Sequence, residues 1–169
     1  MPTSVLVAYG TTNGSTAQIG EAVADVLRKA GLNADLLPAR SVLDVRPYGA
    51  VVLGSGLYIN RWHRDARRFL SRHGRHLAER PLWLFSSGPL DASASERDIP
   101  PVRGVRRAMV RLDAKGHATF GGCLEEGAKG RIAQSIVRNG KGGDFRDFGA
   151  IEEWAARIAD ELLSAREED

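Results

Sequence analysis

Near its start the chain reads Val5-Leu6-Val7-Ala8-Tyr9-Gly10-Thr11-Thr12-Asn13-Gly14-Ser15-Thr16, and this stretch decides how the rest is read. Val5 to Tyr9 is a continuous apolar run, as expected of a strand covered by helices on both faces. From Ser15 to Ala30 the apolar positions Ile19, Val23, Val26, Leu27 and Ala30 recur at helical spacing. Gly31 then ends the helix, a common place for glycine. Between strand and helix, Thr11, Thr12, Asn13, Ser15 and Thr16 crowd four hydroxyls and an amide around Gly14. The first turn of a helix leaves backbone N–H groups unpaired, and the positive end of the helix dipole sits there. Together they suit a phosphate dianion. Gly14 lets the backbone approach a ligand closely or take positive φ without steric cost. An ordinary N-cap would account for one such polar residue, not five.

Working outward, apolar runs and amphipathic stretches alternate to the end of the chain, the pattern of a βα-repeating domain. Ala34 to Pro38 reads as a second strand and Tyr48 to Gly54 as a third. Trp62, Ala66, Phe69, Leu70, His73 and Leu77 mark the face of the next helix. Leu82 to Phe85 is a fourth strand, and Asp91 to Pro101 a polar loop. Val102, Val105, Met109 and Leu112 give another helix, followed by a fifth strand near Ala118 to Gly122. The stretch from Leu124 to Asp147 is rich in glycine and charge, with one short amphipathic piece at Ile132 to Val137. Ile151, Trp154, Ala155, Ile158 and Leu162 form a closing helix. No repeat and no linker is visible, so residues 1–169 read as a single α/β domain with a three-layer, doubly wound, five-stranded parallel sheet.

Composition narrows the class. Apolar residues at 43% and charged residues at 27% are ordinary for a globular domain, and a net charge of +3 gives no reason to expect nucleic acid. Cys123 is the only cysteine, so no intrachain disulfide forms and a reducing compartment fits. No basic, apolar leader and no run of about 18 apolar residues is present, so the chain reads as cytoplasmic, without a transmembrane segment. No metal-ligand cluster, nucleophile or acid–base pair stands out, which leaves the catalytic residues open. A Walker loop would need Gly-Lys-Ser/Thr, and a dinucleotide fingerprint three spaced glycines; neither is here. A phospho-accepting receiver would want carboxylates where Ala8-Tyr9-Gly10 stands.

On these residues the chain resembles the flavodoxin-like FMN-binding domains. Thr11-x-x-Gly14-x-Thr16 is similar to their phosphate loop, Thr-x-Thr-Gly-x-Thr. Thr11 to Ile19, Val51 to Tyr58 with His63, and Gly142-Gly143-Asp144 with Trp154 look most like the flavodoxin-type menaquinone-dependent protoporphyrinogen dehydrogenases. Right-handed crossovers leave few topologies, and strand order 2-1-3-4-5, the order known from flavodoxin itself, is expected. The resemblance implies non-covalent FMN at the strand carboxyl ends. Its phosphate would sit on Thr11, Thr12, Asn13, Gly14, Ser15 and Thr16. Its ring would lie between the loops after strands three and four, with Ser55, Gly56, Leu57 and Tyr58 on one side and Ser86, Ser87 and Gly88 on the other. Tyr58 is the aromatic placed to stack on the ring, or else a half-buried loop tyrosine. Trp62 fits the core better.

Two features depart from the family pattern. The loop from Ser86 to Pro101 has no aromatic, which leaves one flavin face open to a substrate. Arg64 to Arg75 makes a helix basic where many flavodoxins are acidic: either a solvated face, or a rim at which Arg61, His63 and Arg64 meet an anionic substrate. The function implied is an FMN-dependent oxidoreductase, with protoporphyrinogen IX and a quinone as the specific pair. The alternatives are a small electron carrier serving a small-molecule or protein redox partner, a flavin-free binding module, and a deazaflavin in place of FMN. The basic piece from Lys129 to Arg138 could act as a lid or touch an anionic membrane peripherally.

Overall fold

A computed structural model describes residues 4–12, 14–88, 99–124 and 143–168. In chain order the elements are β1 (Ser4–Gly10), α1 (Ser15–Lys29), β2 (Asn33–Pro38), a 3-10 turn (Ala39–Ser41), β3 (Ala50–Tyr58) and β4 (Arg61–Trp62). They continue with α2 (Arg64–Leu77), β5 (Leu82–Ser87), α3 (Arg103–Leu112), β6 (Gly116–Phe120), β7 (Cys123–Leu124), β8 (Gly143–Asp144) and α4 (Phe148–Glu168). The parallel sheet runs β2-β1-β3-β5-β6, with β4 hanging on β3 as a short antiparallel arm. With that arm set aside, the five long strands lie in the expected order 2-1-3-4-5.

The apolar opening run explains why both faces are covered. Side chains alternate across a strand, so Val5 and Val7 pack under α1 and α4, while Leu6 and Ala8 face the opposite helix layer. β3 and β5 repeat the division: Val52, Trp83 and Phe85 join the first core, Val51, Leu53 and Leu84 the second. All four residues Val5 to Ala8 are fully buried, so truncating Leu6 to Ala would cost about 2–5 kcal/mol. On the first face Phe85 lies across the neighbouring strand at its register partner Gly54. A Cβ placed on Gly54 would fall 1.9 Å from the Phe85 Cζ, so only glycine admits the ring there.

Several boundaries differ from the sequence reading, among them the start of β3 at Ala50 instead of Tyr48 and β6 at Gly116–Phe120 instead of Ala118 to Gly122. β3 continues four residues past Gly54 to Tyr58, and β5 two residues past Phe85 to Ser87. Serine and glycine are poor strand formers, but their ladders hold them: Ser55 pairs with Gly10 and Ser86, and Gly56 with Ser87. Ser55 to Tyr58 and Ser86-Ser87 are therefore strand ends rather than loops. Trp62 belongs to β4, not to the following helix, although it is core as expected, being 3% exposed. The loop reading for residues 91–98 and the amphipathic piece at 132–137 lie outside the described residues.

Candidate functional site

The carboxyl ends of β1 and β3 meet at the sheet edge where the strand order reverses, the usual place for a ligand in this architecture. From β1 the chain enters α1 through Gly14, whose φ of 83° is left-handed. A side chain at that position would be strained, so the glycine is a requirement of the turn. Gly14 N–H donates to Thr11 Oγ1 at 3.2 Å, which closes the loop on itself. Beyond that point α1 has no side-chain cap and no acid in its first turn. Thr16 is 1% exposed, and its hydroxyl has no hydrogen-bond partner among the described residues. A buried unsatisfied hydroxyl costs about 1–3 kcal/mol, so such atoms are uncommon. Thr11, Thr12, Gly14, Ser15 and Thr16 thus come together at one helix start, while Asn13 lies outside the described residues.

Across from this loop, Tyr58 at the end of β3 accepts the Thr12 N–H on its hydroxyl at 2.9 Å. Its ring is 5.7 Å from the His63 ring, edge-on, and about a third exposed. The candidate stacking residue therefore closes over the loop instead of pointing into solvent. Ser55 is buried: its Oγ accepts the His63 N–H at 2.8 Å and donates to Gly56 O. Gly56 is buried and Leu57 half-buried beside them. Ser86 and Ser87 are buried in β5 with their hydroxyls engaged. Ser86 Oγ accepts from Trp62 Nε1 at 2.9 Å and shares a 2.9 Å hydrogen bond with His117 Nε2, and Ser87 Oγ donates to Gly121 O. The Gly88 N–H is engaged as well, donating to Phe120 O at 3.2 Å, so these serine hydroxyls and this amide are held within the fold.

The rim residues separate into different roles. His63 is the N-cap of α2, its Nδ1 accepting the Asp65 N–H at 3.1 Å. Burial pushes its pKa down; Asp65 pulls it up, and Arg64, Arg40 and Arg67 add to the lowering. The ring is therefore a neutral acceptor near neutral pH. Arg64 and Arg61 are exposed, Arg61 lying opposite Tyr58 in the β3–β4 hairpin. The turn joining them holds Ile59 at φ 50° and Asn60 at φ 58°, both left-handed, and Ile59 is 73% exposed.

Arg146 is a residue that the sequence reading did not single out. Its guanidinium pairs with Asp144 at 2.7 Å, donates to Ser15 O at 3.4 Å and to Gln18 Oε1, and lies over the Phe148 ring. The pairing, led by the Arg146 hydrogen bond, holds Asp144 below the usual carboxylate range. It ties the segment before α4 to the first turn of α1. The Asp-x-Arg spacing was the available signal, and Asp44 and Arg46 form the same fork elsewhere in the chain.

Fold and site together define an α/β sheet protein with an anion-ready helix start at the switch point of its strands. The family described as Flavodoxin domain matches residues 6–139, and the chain belongs to that family. No curated protein matches the chain. Among solved structures it is similar to a flavodoxin from the domain Archaea, with TM-score 0.62, 11% identity, and 95% of this chain and 99% of that one covered. A flavodoxin variant from Pseudomonas aeruginosa gives TM-score 0.61, 14% identity and coverage of 95% and 99%. Rubredoxin oxygen:oxidoreductase from the anaerobe Desulfovibrio gigas gives TM-score 0.60 and 13% identity, over 96% of this chain and 37% of that one. At these identities the likeness shows the fold.

Proposed function

We propose that the chain binds FMN at the start of α1 and acts as a flavin-dependent oxidoreductase. The observation that carries this reading is Thr16, a buried hydroxyl without a partner on the first turn of an uncapped helix. The residues present fit a phosphate: the first-turn N–H groups with the Thr11, Ser15 and Thr16 hydroxyls would hold it. Two loop donors are already engaged within the fold, the Thr12 N–H by Tyr58 and the Gly14 N–H by Thr11 Oγ1. Tyr58 and the backbone from Gly56 to Leu57 and at Gly88 would flank the ring, with Tyr58 as the stacking partner. FMN, when bound, supplies one- and two-electron chemistry at its ring; the protein orients it and sets access. Arg146 would keep the α1 start in place through Ser15 O and Gln18.

Within this reading the finer activity is oxidation of protoporphyrinogen IX with a quinone acceptor. The family resemblance and the cationic rim of Arg61 and Arg64 beside His63 support it, because the tetrapyrrole carries carboxylates. An electron-carrier role is favoured by a different observation: this chain and the flavodoxins above cover one another almost end to end. Among the described residues no helix is long and apolar enough to cross a membrane, so contact with a membrane-borne quinone would be peripheral.

Titrating the purified chain into FMN while following flavin fluorescence tests the cofactor. Quenching at micromolar concentration is expected, with riboflavin, which lacks the phosphate, binding about tenfold weaker or worse. No quenching would leave the flavin-free binding module. With FMN bound, turnover of protoporphyrinogen with a menaquinone analogue separates enzyme from carrier.

A further inference from the structure

A cavity of about 290 Å3 is lined by the β3–β4 hairpin, α2 and the start of α3. It is bounded by Arg61 and Trp62 of the hairpin, Arg67 and Leu70 of α2, and Arg103 and Val105 of α3. Arginines from three elements thus contribute to its lining. Arg67 is held there by its Nε bond to Trp62 O at 3.1 Å. Among the described residues no carboxylate comes within ion-pairing distance of Arg61, Arg67 or Arg103.

The start of α3 adds to this imbalance. Its N-cap is Val102, which offers no acceptor, and its first turn contains no acid. Arg103 instead places a positive charge at the positive end of the helix dipole, the disfavoured arrangement. A side chain at Gly104 would meet nothing within 4 Å, so the first-turn backbone is open to approach. Among the described residues, arginines without a carboxylate partner, a helix start without a side-chain cap and the cavity coincide. Trp62, Leu70 and Val105 meanwhile give the cavity an apolar floor.

We propose that this cavity binds the carboxylate of a small organic acid, with the acid's apolar body on Trp62 and Leu70. Planar guanidinium groups match a carboxylate's two oxygens, and the volume lies at the bottom of the roughly 300–1,000 Å3 range of ligand pockets. The cavity shares Arg61 with the rim of Arg61, His63 and Arg64 expected from sequence, while His63 and Arg64 do not line it. No residue of the α1 start takes part, so the inference stands independently of flavin binding.

Calorimetric titration of the full chain with naphthalene-1-carboxylate tests it, with the neutral naphthalene-1-carboxamide as control. The amide should bind at least about tenfold more weakly, the value of one charge-assisted hydrogen bond. Arg103→Gln should weaken the carboxylate about tenfold, and Arg61→Gln, on the exposed hairpin, should do the same from another element. Arg107→Gln, on α3 but outside the cavity lining, should leave it within about twofold. Equal binding of acid and amide, indifference to both Arg103→Gln and Arg61→Gln, or an equal loss in Arg107→Gln would overturn the proposal. Inorganic phosphate binding as tightly as the naphthoate would overturn the apolar half of it. Arg103→Gln should retain FMN quenching, and a failure of FMN to bind the parent chain would leave the carboxylate result standing.

Discussion

α1 follows β1 and α2 follows the β3–β4 hairpin, β1 and β3 being neighbours in the sheet, yet the first turns of the two helices are finished differently. α2 satisfies itself: His63 accepts the Asp65 N–H, and Asp65 places a negative charge where the dipole favours one. α1 has a left-handed glycine for a cap, no acid, and a buried threonine hydroxyl with nothing to bond. One start is closed by its own side chains; the other is left without a side-chain cap among the described residues. Side chains able to cap are abundant around Gly14, so the open state of α1 does not come from a shortage of them. The contrast sets a capped helix start beside an uncapped one within a single sheet edge, and the proposed binding site lies at the uncapped one.

The sharpest way to break the comparison is Thr16→Val, which keeps the shape and removes the orphan hydroxyl. FMN affinity should fall about tenfold to a hundredfold as a charge-assisted hydrogen bond is lost. The ligand-free chain should at the same time gain about 1 kcal/mol, a melting temperature some 2–4 °C higher. A fluorescence titration and a thermal melt read the two effects; a variant that loses stability and keeps its affinity would make Thr16 a structural residue. Next comes His63→Ala, which opens the closed start. It should cost about 1 kcal/mol in denaturant unfolding and leave FMN affinity within about twofold. A large loss of affinity would place His63 in the site.

Acidity probes the same cap. Burial depresses the pKa of His63, and also that of His73, which is 5% exposed. The unfolded chain therefore binds more protons just below the ordinary histidine value, so stability is full above about pH 6.5 and falls as pH drops through the depressed values. Unfolding free energies measured from pH 7.5 to 5 should show that decline. His63→Asn, which keeps a capping acceptor but cannot titrate, should flatten part of it. The smallest effect belongs to the turn between the two starts. Ile59 is β-branched at positive φ, so Ile59→Gly should stabilise the chain by about 0.5–1 kcal/mol, seen in a chemical melt. No gain would mean that the exposed isoleucine is held by a contact of its own.

Much of this fold could be read from local pattern. The run Val5 to Ala8 and the helical spacing of Ile19, Val23 and Leu27 state their burial directly, because strand and helix periods sort side chains to faces. Crossover handedness then left few strand orders. The ends of β3 and β5 could not be read, since Ser55, Gly56, Ser86 and Ser87 are strand residues only by virtue of their cross-strand partners. The polar turn before α1 stood out because its composition exceeds what one cap requires, and the proposed phosphate site rests on it. The roles of His63 and Arg146 were not, because a cap in use and a long-range clamp depend on distances across the fold. The grouping of Arg61 with Arg67 and Arg103 was hidden for the same reason: a hairpin and two helices bring it about.

Gly54 and Phe85 have a consequence of another kind. The phenyl ring rests on its neighbour's bare backbone, so the two positions hold one volume between them. Neither can drift alone: a methyl at 54 evicts the ring, and a smaller residue at 85 leaves a hole against Phe120 and Trp154. Descendants of this chain are therefore bound to change the pair in concert or keep both letters, and the covariation would register this strand pairing in sequence long after the surrounding surface had diverged.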